Sequence, residues 1–139
     1  MNFPLIIIII AAVVIAAILV TIFIMTRGQK GLLDQEKYRV RWLEIENGLD
    51  KNNVATYQFA VLAADKLLDQ ALGDLGLEGD TTADRLKNAK DKLSNSGAVK
   101  AAHKLRTEIA HKTDEQINTV SARRALATYK RALRELGAI

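Results

Sequence analysis

The two histidines of this 139-residue chain, His103 and His111, lie eight positions apart with Arg106 between them, and the chain has no cysteine. An imidazole titrates close to neutral pH, and a guanidinium presents a rigid fork of donors that matches a phosphate. Together they supply what acid–base chemistry on a phosphodiester needs: a group that moves a proton and a cation that holds the developing charge. Two histidines without cysteine give no recognisable metal-ligand spacing, so neither a metal nor any other cofactor is expected.

The elements that must position these groups are helical. No run of alternating β-branched and aromatic residues appears, and the single proline is Pro4. The fold class read from the sequence is all-α: an N-terminal transmembrane helix followed by a small antiparallel bundle of about five helices. Residues 1–27 form the anchor and 28–139 the helical domain. From Phe3 to Met25 there is no charged side chain. A helix of that length rises about 35 Å, enough to cross a hydrocarbon core of about 30 Å. Lipid demands internal backbone hydrogen bonding, so the β-branched run Ile6 to Ile10 is read as helix rather than strand. A cleaved signal peptide is the rival reading. It is disfavoured because no Lys or Arg precedes the run and Ile24-Met25-Thr26-Arg27 offers no small-x-small cleavage site.

Arg27, Lys30, Lys37, Arg39 and Arg41 follow the span closely, which places the C-terminal domain in the cytoplasm and the N-terminus outside by the positive-inside rule. Gly28 and Gly31 would loosen the junction. Charge is uneven beyond it: Arg27 to Gly97 holds eleven Lys/Arg against twelve Asp/Glu, and Ala98 to Ile139 holds nine against four. The basic excess therefore accompanies the histidines. It suits an anionic partner, either nucleic acid or the phospholipid surface to which residues 3–25 tether the chain.

In the soluble part, Leu33, Val40 and Leu43, with Tyr38, Trp42, Ile45 and Leu49, mark a first helix ending near Asn47-Gly48. A second begins after Asn52-Asn53, presents Tyr57, Val61, Ala64, Leu68 and Ala71, and ends in the turn Gly73 to Gly79. Thr81-x-x-Asp84 opens a short helix through Leu86, Ala89 and Leu93, broken at Ser94 to Gly97. The fourth spans Val99 to about Ala110. The fifth runs from Asn118 or Thr119 to Leu136, stopped by Gly137.

A continuous helix would put Arg106 and His111 about 140° apart around its axis, while His103 and Arg106, three apart, share a face. For Arg106 and His111 to act on one phosphate, the helix must end or kink before His111, or a second subunit must complete the site. Lys112-Thr113-Asp114 reads as the helix exit.

The segment Leu105-Arg106-Thr107-Glu108-Ile109-Ala110-His111 resembles the signature of the HEPN superfamily, small helical bundles defined by an arginine and a histidine four to six positions later. The stretch Ala64 to Asp69, with the glycine-rich turn and Arg85-Leu86-Lys87, is similar to the equivalent parts of bacterial membrane-anchored proteins carrying this pattern. The resemblance implies a bundle that often pairs as a homodimer, and an activity that in many members is metal-independent RNA cleavage. Members without activity serve as binding modules. Carried over by position, Arg106 would hold the scissile phosphate and His111 would act as acid or base at the 2′-hydroxyl. His103, Lys104, Thr107 and Asp65 would contribute to binding RNA or a nucleotide. The chain departs from the pattern at Thr107, where asparagine, aspartate or histidine is more usual.

Other roles stand beside these. Arg106 can be a structural arginine bridging Asp65 or Glu108, and His111 a helix C-terminal histidine favoured by the macrodipole. His103 reads as a packing or hydrogen-bonding residue and Trp42 as core. Asp65, among apolar neighbours, is expected to be half-buried with a cationic partner. The alternative function is a non-enzymatic tethered module that docks a protein or anionic lipid through Arg123, Arg124, Lys130 and Arg131.

Overall fold

The computed structural model describes residues 2–27, 33–112 and 117–139, and among these every regular element is helical. The chain divides into two compact units, Met1–Leu32 and Leu33–Ile139. The looseness expected at Gly28 and Gly31, and the exit at Thr113-Asp114, lie outside the described residues.

The first unit is helix α1, Phe3–Arg27. Its stretch Phe3–Phe23 is long and apolar enough to cross a membrane, and no side chain in it is buried by protein. The hydroxyl of Thr21 donates to the Ala17 carbonyl at 2.7 Å, satisfying the one polar side chain of that stretch within the helix.

The second unit holds α2 (Gln35–Asn47), α3 (Val54–Asp74), α4 (Thr82–Asn88), a 3₁₀ turn (Lys90–Lys92), α5 (Ser96–His111) and α6 (Thr119–Glu135). Side-chain oxygens start the α-helices: Asn53, Thr81, Asn95 and Asn118 accept from backbone N–H groups of the first turns, and Asp34 does so for α2. Asn95 shows that Ser94 to Gly97 is more than a break, because α5 begins inside it. At the far end Gly137, with φ +76°, lets Ala138 N–H reach back to the Leu133 carbonyl at 2.8 Å, which closes α6 and buries Ala138.

Two antiparallel hairpins make the body. In α2/α3, Tyr38 meets Asp74 at one end and Asp50 meets Thr56 at the other; in α5/α6, Ser94 meets Glu135. The hairpins dock so that α3 and α6 run side by side in the same direction, since Tyr57 pairs with Arg123 and Asp65 with Tyr129. Val61, Ala64, Leu68 and Leu72 of α3 face Ala122, Tyr129 and Leu133 of α6 across the core, with Val99 and Ala102 of α5 and Leu86 of α4 completing it. Trp42 is core as expected.

One face differs from expectation. In α2 the buried positions are Tyr38 and Trp42, whereas Val40 and Leu43 stay 50% and 48% exposed. The apolar residues of α2 cover more than one face, and the large aromatics, with the most apolar surface to bury, turn inward.

Candidate functional site

The site is built around Asp65, about three turns into α3 and near its middle, where it is only 3% exposed and is the buried charged residue of the described core. It is deeper than the half-burial expected, and a buried carboxylate must find donors. Two donors and a cation come to it from two other helices. Tyr129 of α6 donates its hydroxyl to Oδ1 at 2.9 Å, and His103 of α5 places Nδ1 2.8 Å from the same oxygen. Arg106, also on α5, brings Nε within 3.5 Å of Oδ2. That is an ion-pair distance without hydrogen-bond geometry, so Nε itself stays without a hydrogen-bond partner. Burial first, then the adjacent Asp65 charge, hold the Tyr129 hydroxyl protonated far above the usual tyrosine range.

His103 and Arg106 sit three apart on one face of α5, so a single carboxylate orders both. Thr107 lies beside them and donates its hydroxyl to the His103 carbonyl at 3.1 Å. Lys104 is exposed. His111 is exposed as the last residue of α5, and the helix continues through it: Lys112 N–H closes onto the Glu108 carbonyl at 2.9 Å. The kink that would have brought His111 round to Arg106 is therefore not present in the described helix. Of the residues singled out from sequence, Asp65, His103 and Arg106 are brought together with Thr107 at their edge, and Lys104 and His111 are not.

Tyr129 is the member that sequence reasoning missed. A signal existed, because a tyrosine central to a core face must find an acceptor for its hydroxyl, and Asp65 on α3 was the buried acid available. Among the described residues no group of three His, Cys, Asp or Glu side chains is placed to hold a metal ion.

The basic C-terminal third is less free than its charge count implies. Arg123 donates to the Tyr57 hydroxyl at 3.2 Å and stands 5.4 Å from that ring's centre. Lys130 bonds Glu46 and lies 5.9 Å from the Trp42 ring, and this bond holds the Glu46 carboxyl below its usual range. Arg131 pairs with Glu135 at 3.3 Å, an exposed contact of little strength. Comparison with known protein families, curated proteins and solved structures finds no match to this chain.

Proposed function

We propose that this chain is a membrane-tethered helical domain, facing the cytoplasm, that binds RNA through phosphate contact at Arg106. The observation that carries the reading is the way Asp65 holds Arg106 from beneath by its Nε side while 40% of the side chain remains open. No described residue bonds the two terminal nitrogens, and their fork is the part of arginine that grips a phosphate. The excess of Lys and Arg from Ala98 onward supplies a favourable field around it. The cations that follow the apolar helix support the cytoplasmic placement.

The second reading, docking of a protein or anionic lipid by α6, is favoured by charge but weakened by geometry. Arg123 and Lys130 already serve contacts inside the domain. The two are separated with full-length chain in neutral phosphatidylcholine nanodiscs and labelled single-stranded RNA, followed by fluorescence anisotropy. Arg106→Ala is expected to weaken binding about tenfold and to lower the dependence on salt by about one phosphate contact. Unchanged RNA affinity in Arg106→Ala, with loss of binding in Arg124→Ala, would overturn the reading in favour of α6.

A further inference from the structure

The α2/α3 hairpin leaves uncovered the kind of surface that the rest of the domain hides. Among the described residues of the second unit, four large apolar side chains stay exposed, and three of them, Val40, Leu43 and Phe59, belong to this hairpin. Phe59 is the most open, at 68%. It does not stand alone, since Ile45, Ala60 and Leu67 join it in lining a hollow of about 410 Å³ between α2 and α3. Arg41 and Glu44 line this hollow and also a neighbouring one that contains Val40, so the two adjoin. A single exposed apolar side chain is ordinary, whereas a contiguous apolar hollow marks a place where something docks.

Charge narrows the occupant. Arg41 and Lys66 stand at the hollow, both exposed, and neither has a hydrogen bond or ion pair with a described residue. Three cations elsewhere are engaged inside the domain: Lys130 with Glu46, Arg123 with Tyr57 and Arg85 with Asp69. Glu44 is the acid of the lining, so two cations face one carboxylate there. An apolar floor with excess positive charge at its edge fits a ligand that is apolar at one end and anionic at the other. A free phosphate would meet the cations and leave the floor uncovered. The chain keeps such a ligand beside it, because α2 begins at Gln35, eight residues after α1 ends at Arg27, and eight residues reach at most about 28 Å. A bilayer that holds α1 therefore stays within reach of α2 at high effective concentration, whereas any other partner must arrive by diffusion.

We infer that the hollow between α2 and α3 is a docking face for the anionic phospholipid surface of the membrane, with Arg41 and Lys66 on headgroup phosphates and Phe59 among the upper acyl carbons. The inference rests on the membrane tether of the reading above and not on RNA, and it uses the hairpin that does not carry the α6 cations. The ring of Phe59 supplies apolar burial at the boundary of headgroups and acyl chains, and the two cations supply the preference for anionic over neutral lipid. The tether keeps the domain near the lipid whether docked or free, and rising salt shifts it toward the free position.

The chain has no cysteine, so one substitution gives one labelling site. Full-length chain carrying Ala63→Cys at the hollow, or Ala127→Cys on α6 as a control, both at exposed positions, is labelled with an environment-sensitive nitrobenzoxadiazole dye. It is placed in nanodiscs of phosphatidylcholine alone or mixed with phosphatidylserine, each containing phospholipid with a nitroxide near the headgroup. In the phosphatidylserine discs the dye at position 63 is expected to emit at shorter wavelength and to be quenched by the nitroxide, and the dye at position 127 to do neither. Neutral discs are expected to give a much smaller effect at 63. Arg41→Gln/Lys66→Gln is expected to lower the ratio of docked to free domain about thirtyfold. Phe59→Ser is expected to lose most of the quenching, and the helical spectrum to stay unchanged in both variants because the three side chains are exposed. Equal quenching at 63 and 127, equal quenching in the two lipids, or quenching that survives these substitutions would overturn the inference. So would a blue shift at 63 that appears in detergent and grows with chain concentration, which puts a second copy in the hollow. A chain that does not enter the discs removes the tether and the inference together. RNA affinity in neutral discs is a separate readout, so the failure of RNA binding and the failure of docking are told apart.

Discussion

At the scale of single residues, the domain concentrates its buried polarity on Asp65, and the cost of disturbing it follows from what each partner gives. Tyr129→Phe removes a hydroxyl that donates to Oδ1 and leaves His103 as that oxygen's donor. A loss of about 1–3 kcal/mol is expected at neutral pH, read as a lower midpoint in urea unfolding followed by circular dichroism. The same tyrosine sets an alkaline limit. Its folded-state pKa is raised, as is that of Tyr38, which is buried and donates to Asp74 Oδ2 at 2.5 Å. A raised pKa means the folded state keeps protons that the unfolded chain gives up. The associated stability is whole below the ordinary tyrosine value of about 10 and drains away as pH rises beyond it. Thermal midpoints measured from pH 8 to pH 11 should therefore fall above about pH 10, and the fall should be shallower in the Tyr38→Phe/Tyr129→Phe double variant than in wild type. Much of this cluster was legible in the sequence: Asp65 stood among apolar residues and had to have a cationic partner, and Arg106 was a named candidate. The arrangement of its three partners was not, because which face of α5 meets α3 depends on the docking of two hairpins.

Elements were easier to read than their rotation. Asn53, Thr81 and Asn118 were visible as caps because each precedes an apolar-periodic run, and each accepts from its own first turn. Asn95 was hidden in a string that also reads as a breaker. It accepts from Ala98 N–H at 2.9 Å, and Asn95→Ala should cost about 1 kcal/mol of global stability in the same urea assay. The facing of α2 was illegible for a different reason. Apolar residues occur on more than one side of it, so periodicity alone does not choose between Val40/Leu43 and Tyr38/Trp42. The short α4 gives a sharper expectation. A Cβ on Gly79 would lie 2.8 Å from the Arg85 backbone nitrogen and 2.9 Å from Asp84 Cβ, and neither can move freely. Arg85 is pinned to Asp69 at 2.8 Å, and Asp84 shares a reciprocal bond with the Thr81 cap. Gly79→Ala should displace α4 from the bundle and cost more than the loss of the Asn95 cap. Amide exchange should quicken most across residues 82–93, and uniform protection there would refute this account.

For the whole molecule, the decisive fact is that the core draws its residues from Leu33 onward. Its apolar side chains come from α2 to α6 and the residues that flank them, while the described side chains of α1, residues 3–23, are exposed. A chain of about a hundred residues can remove roughly two-thirds of its unfolded surface from water, which is enough for independent folding. Removal of residues 1–32 should thus leave a soluble domain that unfolds in one cooperative step, with a urea midpoint matching that of the full chain in nanodiscs. The full chain should be extracted from membranes by detergent and resist extraction by high salt, since burial of an apolar helix in lipid does not depend on ionic strength. RNA affinity gives the converse signature. It should survive truncation, because Arg106 and Asp65 belong to the folded unit, and should weaken as salt rises, because the proposed contact is to phosphate. If the truncated chain melts gradually, or loses RNA binding while retaining its helical spectrum, then the tether contributes to the site and the two units do not act independently.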